Sequence, residues 1–242
     1  MFFRNRLRRR PQPPVAVQAL EARALLAATA GFDGQTLTIR GTDAHERVSI
    51  GPGGSPSLTS VVSDGKVILQ VPTQRIQHIK ALMRGGNDTL AVDLKDRDVA
   101  TVTIHMGLGQ FESVSLSRGR VGTLTMTGQA TDVHRVDLRQ VSVGQQANLS
   151  FANLTSRDSV SWREGRVNRL NAQLGGGNDR LALQQVTVSG ATVDMGEGDD
   201  TLMLNGSFVT TGQLQGGLGA DLFVVSGGHS GAAFDGFERA WI

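Results

Sequence analysis

Three stretches of the chain, LGGGNDRLAL around Asp179, MGEGDDTLML around Asp200 and GGLGADLFVV around Asp221, set a Gly-rich turn ending in Asp before an apolar residue, at a spacing of 21. A period that regular means stacked, near-identical coils, with the Asp of each coil above the Asp of the one before.

The ladder extends toward the N-terminus when the apolar residue two places after the Asp is used as a ruler. Leu90, Val114, Val136, Val160, Leu181, Leu202 and Phe223 follow at steps of 24, 22, 24, 21, 21 and 21, and Val48 lies 42 residues before Leu90. That gap equals two steps of 21, which places a skipped coil at Val67. The acid position on this ruler holds Glu46, Asp88, Glu112, His134, Asp158, Asp179, Asp200 and Asp221, so only His134 breaks the series. Short alternating runs precede and follow each turn, such as Val102-Thr-Ile104-His-Met106 and Leu202-Met-Leu204. Period-two alternation in runs this short predicts strands with one buried face.

Short strands, Gly turns and a repeat of 21–24 residues predict an all-β parallel β-helix, or β-solenoid, whose coils hydrogen-bond at about 4.8 Å. A doubly wound sheet or α/β barrel needs amphipathic helices between strands, and after Ala30 the sequence has none. An antiparallel sandwich also has many short strands, but it does not bring acidic residues into register at a constant step.

Composition narrows the chemistry. With 31 Gly and 39% apolar residues in 242, the chain can build one extended core. There is no Cys, so disulfides, zinc-thiolate sites and a cysteine nucleophile are excluded. There is no Tyr, and Trp162 and Trp241 are the two Trp residues, which argues against aromatic platforms for sugars or single-stranded nucleic acid. No apolar run reaches the length of a membrane span. The pI of 9.6 reflects one end of the chain. Residues 1–30 hold six Arg against Glu21, a net of +5, so the total of +2 leaves −3 for the remainder. The repeat body is mildly acidic.

The basic leader MFFRNRLRRRPQPP runs into VAVQALEARALLAATA, where Ala28-Thr-Ala30 has the small-x-small form of a signal-peptidase site. Gln18, Glu21 and Arg23 interrupt the apolar stretch, which departs from an ordinary secretory signal. Leu20-Glu21-Ala22-Arg23-Ala24-Leu25-Leu26-Ala27 resembles the LEPR-XLL segment of bacterial surface and secreted proteins, with Ala22 where that motif has Pro. The resemblance implies a sorting role and an extracellular or cell-surface location. A disordered basic arm or a nucleic-acid-binding tail is the alternative.

The turns resemble the nonapeptide G-G-x-G-x-D-x-U-x of RTX (hemolysin-type) calcium-binding proteins, where U is a large apolar residue. The match is fullest at Gly216-Gly217-Leu218-Gly219-Ala220-Asp221-Leu222-Phe223, then at Gly175-Gly176-Gly177-Asn178-Asp179 and Gly196-Glu197-Gly198-Asp199-Asp200. Gly85-Gly86-Asn87-Asp88 is a less complete fourth copy. This resemblance implies a right-handed parallel β-roll with Ca²⁺ between the turns of neighbouring coils. It assigns as ligand-bearing positions Gly175, Gly177, Asp179, Gly196, Gly198, Asp199, Asp200, Gly217, Gly219 and Asp221, with Gly86 and Asp88 as a further candidate.

The residue chemistry points the same way without the family. Glycines let the backbone turn carbonyl oxygens toward a common centre, and Asp adds a short hard carboxylate, which together suit an ion that takes six to eight oxygens. Carboxylates repeating at about 5 Å repel by roughly 3 kcal/mol per pair at an effective dielectric near 20, unless a cation or solvent relieves them. There are also departures. RTX repeats recur every nine residues, whereas this chain has one acidic turn per coil, so one edge of the solenoid is the candidate edge. From Glu112 to Asp158 the turn glycines are absent, and those coils are expected to bind nothing.

Gly-Asn-Asp and Gly-Asp-Asp are good turn formers in their own right, so a metal-free scaffold stays open. So does a carbohydrate-active β-helix enzyme using Asp199 with Asp200, or Asp179 with Asp200, as paired carboxylates. His45, His78, His105, His134 and His229 form no metal-ligand spacing and read as ordinary surface or turn residues. The chain has no G-x-S-x-G element, and its Gly loops lack the Lys of a P-loop.

The sequence therefore divides into a basic export segment (1–30), N-terminal coils with a hairpin at Val67–Val71 (31–80), solenoid coils (81–231) and a C-terminal cap (232–242). Residues 31–80 contain one clear pair of strands, Leu37–Ile39 and Val48–Ile50. The expected function is that of a non-catalytic extracellular calcium-binding repeat protein with a structural or adhesive role. Its partners would be calcium ions and cell-surface polysaccharide or other surface proteins, with no nucleic acid and no membrane span.

Overall fold

Alternation decides how this chain is built. In β7 (Thr89–His105) the side chains of Leu90, Val92, Leu94, Val99, Val102 and Ile104 are buried while their neighbours face outward, so a single run presents one continuous apolar edge. That edge is too long for one flat sheet, and the chain bends and coils so that each apolar side chain reaches a common interior.

The computed structural model describes residues 27–129, 133–151 and 155–241, the last three by backbone alone, and its architecture is a parallel β-solenoid of about 7 turns with about 22 residues per turn. The basic leader and the LEPR-XLL-like segment up to residue 26 lie outside the described residues. The first elements are β1 (Thr29–Phe32), β2 (Thr36–Arg40), β3 (Arg47–Pro52), β4 (Leu58–Ser63), β5 (Lys66–Pro72) and β6 (His78–Leu82). After β7 come β8 (Phe111–Gly128), β9 (Val133–Phe151), β10 (Ser159–Gln173) and β11 (Arg180–Glu197), each a nearly complete coil paired in parallel with the next. The stack ends with β12 (Thr201–Asn205), β13 (Phe208–Leu218), β14 (Leu222–Ser226), β15 (His229–Ser230), β16 (Ala233–Asp235) and β17 (Arg239–Trp241). The only helical piece among the described residues is a 3₁₀ turn at Thr73–Arg75.

The apolar ruler is the observed register. Val48 pairs with Leu90, Leu90 with Val114, and so on through Val136, Val160, Leu181, Leu202 and Phe223. Every residue of that column is at most 2% exposed.

The step of 42 between Val48 and Leu90, however, holds no skipped coil. β3 stacks directly on β7, and the intervening chain leaves the solenoid as an antiparallel excursion, with β3 on β4 and β4 on β5. Asp64-Gly65, both at positive φ, make its tight turn, and Val67 is 58% exposed. The hairpin expected there exists; the coincidence of 42 with two coil lengths does not reflect stacking. β2 and β3 likewise pair with the coil above, β2 with β6 and β3 with β7. Arg97 fastens the excursion to the stack by donating from Nη1 to the carbonyl of Thr73 at 2.7 Å.

β7 turns its first corner on two left-handed residues, Lys95 and Asp96, and each later coil on one. Arg118, Gln140, Glu164 and Gln185 have φ of 53, 55, 57 and 55°, and Gly206 and Gly227 continue the column. The residues before them, Ser117, Arg139, Arg163, Gln184, Asn205 and Ser226, are stacked partners. A non-Gly residue in this region costs about 1–2 kcal/mol, so the corner is held by the sheets on either side. At the C-terminal end β16 and β17 add to β13 and β14 in parallel, and Phe234 and Phe237 place their rings 5.5 and 5.4 Å from Phe223.

The largest fully buried side chain among the described residues is Trp162, with its indole Nε1 donating to the Val141 carbonyl at 3.0 Å. Trp162→Ala is expected to cost about 3–5 kcal/mol. Urea unfolding would check this, and a loss below 1 kcal/mol would mean the interior is not packed around that ring.

Candidate functional site

At the end of each coil the strand ladder has to start again, and the first main-chain N–H on each turn has no strand to pair with. The ladder acids fill that place. Glu46 N–H donates to Asp88 Oδ1 at 2.9 Å, Asp158 N–H to Asp179 Oδ1 at 2.7 Å, Asp179 N–H to Asp200 Oδ1 at 2.7 Å and Asp200 N–H to Asp221 Oδ1 at 2.9 Å. The carbonyl of each acid meanwhile accepts from the residue after the next acid, as Thr201 N–H does to Asp179 and Leu222 N–H to Asp200. One residue type thus closes the turn on both sides, and a side-chain oxygen stands in for a strand carbonyl.

The whole column points inward. Glu46, Asp88, Glu112, His134, Asp158, Asp179, Asp200 and Asp221 are all at most 2% exposed. His134, expected among surface or turn residues, is instead fully buried. Its main-chain N–H and ring Nδ1 both lie within hydrogen-bonding distance of Asp158 Oδ1, at 2.8 and 3.0 Å, and the ring stacks on Phe151 at 5.0 Å. Gly128 provides the space, since a Cβ there would sit 2.2 Å from His134 Nε2. The middle coils that lack turn glycines therefore keep the inward column.

A second, exposed ladder runs one residue earlier and in the opposite direction. Asn87 Oδ1 accepts from Gln110 N–H at 2.8 Å, Asn178 Oδ1 from Asp199 N–H at 3.1 Å and Asp199 Oδ1 from Ala220 N–H at 2.9 Å. Asp199 and Asp200 thus belong to different ladders, one facing solvent and one buried.

The predicted glycines stack at the same turns. Gly175, Gly196 and Gly217 form one column and Gly177, Gly198 and Gly219 another, all at positive φ, with Gly86 in an equivalent place. Close approach explains them. At Gly196 a Cβ would lie 1.6 Å from the carbonyl oxygen of Gly175, and at Gly198 it would lie 2.2 Å from that of Gly177. These carbonyls are directed along the stack, toward the coil that follows.

The second carboxylate oxygen is the unusual feature. Oδ2 of Asp88, Asp179, Asp200 and Asp221 is buried with no hydrogen-bond partner. Burial, only partly offset by the main-chain N–H and reinforced by neighbouring acids, pushes Asp179 up to about 8 and Asp88 and Asp200 up to about 7. Asp221 is raised for the same reasons, with Asp199 and Glu238 as its acidic neighbours. A cleft of about 350 Å³ opens beside the last of these turns, lined by Asp199, Asp200, Ala220, Asp221 and Glu238 among others. Among the described residues no three His, Asp or Glu side chains converge as a ready-made ion cage. An ion at this edge would draw on the unpartnered Oδ2 atoms and on main-chain oxygens, and that all-oxygen donor set suits a hard cation.

Comparison of the chain with protein-family models, with curated proteins and with solved structures finds no match.

Removing one rung separates its two roles. Asp200→Ala leaves the buried Asp179 N–H without an acceptor and is expected to cost about 1–3 kcal/mol, whereas Asp200→Asn keeps an acceptor and costs less. A denaturation curve in chelator that ranks the two variants the other way would contradict this role.

The raised acids also set the pH dependence in chelator. Their folded pKa values lie above the ordinary 3.8, so the folded state binds more protons between about 4 and 8, and stability falls across that window as pH rises. Melting temperatures that climb from pH 5 to 8 in chelator would contradict the burial of these charges.

Proposed function

We propose that this β-solenoid is a non-catalytic structural protein of the extracellular or cell-surface space, and that Ca²⁺ is the counter-charge of its C-terminal acid ladder. The observation that carries the proposal is the set of buried, unpartnered Oδ2 atoms on Asp179, Asp200 and Asp221. Carboxylates one coil apart with no counter-charge destabilise the folded chain, and a divalent ion taking oxygens from two adjacent turns would remove that penalty. Resemblance of the Gly-Asp turns to RTX repeats supports calcium over other hard cations. Glu238 and Asp199 at the open cleft would add negative charge at the last coil.

Ion uptake of this kind is linked to folding. With calcium scarce, the ladder repels itself and the last coils are the least stable part of the stack; with millimolar calcium they tighten. A chain exported past a calcium-poor interior would then order fully outside.

A metal-free scaffold is the second reading, favoured by a specific observation: one oxygen of each ladder Asp is already used by a main-chain N–H. Under it the Asp turns are capping devices only.

Thermal melts of the full chain followed by circular dichroism separate the two. With calcium well above its dissociation constant, the melting temperature is expected to rise by about 5–10 °C relative to chelator, with no comparable rise in magnesium. Asp200→Asn should reduce the rise. Superimposable melts in calcium and chelator would rule the calcium reading out and leave the scaffold.

A further inference from the structure

Stacking brings together on one outer face residues that are far apart in sequence. In the first sheet, Arg135, Ser159 and Arg180 occupy one row across β9, β10 and β11. Four residues along the strands, Arg139 and Arg163 are paired neighbours in a second row. Between the rows lie Asp137, Ser161 and Ala182, themselves in register, with Ser113 and Ser115 of β8 beyond. Together they enclose a cleft of about 420 Å³ with four guanidinium groups around a floor of short side chains.

This cleft is out of charge balance. Four Arg face one carboxylate, Asp137, which is paired with Arg139. Arg163 finds only the hydroxyl of Ser161, at 3.3 Å, and neither Arg135 nor Arg180 has an ion-pair partner among the described residues. Like charges stacked directly across a strand pair, as Arg139 and Arg163 are, destabilise a sheet unless something answers them. The local net charge is four minus one, or +3, on a body that carries −3 outside its leader.

We infer that this face binds a linear anionic polysaccharide, one carrying carboxylate or sulfate groups along its chain. The four Arg are anchored at strand positions spread over two rows and three coils, not around one point as in a compact site for a single phosphate. Arg135 and Arg180 are two strand spacings apart, about 10 Å, and the two rows are separated by about 13 Å, so the charges they answer are spread along an oligomer. Guanidinium groups hold carboxylate and sulfate oxygens by paired N–H donors. Ser113, Ser115, Ser159 and Ser161 supply hydroxyls at the level of sugar hydroxyls. No aromatic side chain lines the cleft to stack a base, which sets it apart from surfaces that grip single-stranded nucleic acid. The inference rests on the solenoid scaffold and on the extracellular or cell-surface location proposed above, and is independent of calcium.

Binding of the full chain to heparin, to polygalacturonate, to neutral dextran and to a single-stranded DNA oligonucleotide, compared across salt concentrations, tests it. Because residues 1–30 are themselves basic, the cleft is isolated by variants. The double substitution Arg135→Gln/Arg180→Gln is expected to weaken binding to heparin or polygalacturonate by about tenfold, as two exposed charge-assisted contacts would. Arg8→Gln/Arg9→Gln in the leader should leave it nearly unchanged. Which of the two glycans binds tells sulfate from carboxylate. Ser159→Glu, which sets a negative charge between Arg135 and Arg180, should weaken binding as well, and unchanged melting of each variant shows that the fold is retained. Equal affinity of the cleft variants and the natural chain, absence of binding to both acidic glycans, or tighter binding to DNA than to either of them would overturn the proposal.

Discussion

The hydrogen bond from a turn's main-chain N–H to the carboxylate of the next coil is the contact on which the stack depends. A parallel solenoid satisfies its backbone easily along strands, where coil pairs with coil. It has difficulty at corners, where the chain changes direction and a buried N–H has nothing opposite it. Leaving such a group unpaired costs free energy comparable to a lost hydrogen bond. Asp at the last position of the turn is short enough to reach the N–H of the preceding coil while its own carbonyl starts the next strand pairing.

The same device brings a charge indoors. Asp88, Asp179, Asp200 and Asp221 each use one carboxylate oxygen and leave the other buried without a partner in a column of acids, and that burial raises the affinity of these groups for protons. Stability of the acid edge is therefore tied to what neutralises it, whether protons or the calcium proposed here. At His134 the column carries an imidazole instead of a carboxylate, with its Nδ1 within reach of the Asp158 carboxylate, in a space cleared by Gly128. The turn glycines answer a different need, because carbonyl oxygens of one coil occupy the volume where side chains of the next would begin.

The features that were legible in the sequence are those that repeat. The column from Val48 to Phe223 could be read because every coil needs an apolar residue at that point, and the acid column because every turn needs the same acceptor. Features that depend on a single coil were not legible. The hairpin excursion lies inside a step of 42 residues that arithmetic cannot tell from two coils, and the difference lies in Asp64-Gly65 and an antiparallel register. The left-handed corner left little trace because Arg118, Gln140, Glu164 and Gln185 are not residues that announce positive φ. His134 looked like an interruption because its burial depends on a glycine six residues away. The Arg-lined cleft was invisible for a related reason: Arg135 and Arg180 are 45 positions apart, and only the register, with Ser159 between them, makes them neighbours on one face.

Native-state hydrogen exchange at the amides of Asp158, Asp179 and Asp200 is the most direct measurement of the carboxylate contact. If those N–H groups are held by the acids of the next coil, they exchange as slowly as the amides of the strands they adjoin, and the Asp179 amide alone accelerates strongly in Asp200→Ala. Exchange of all three at the rate of exposed turn amides, in calcium and in chelator alike, would mean that the acid column does not close the turns.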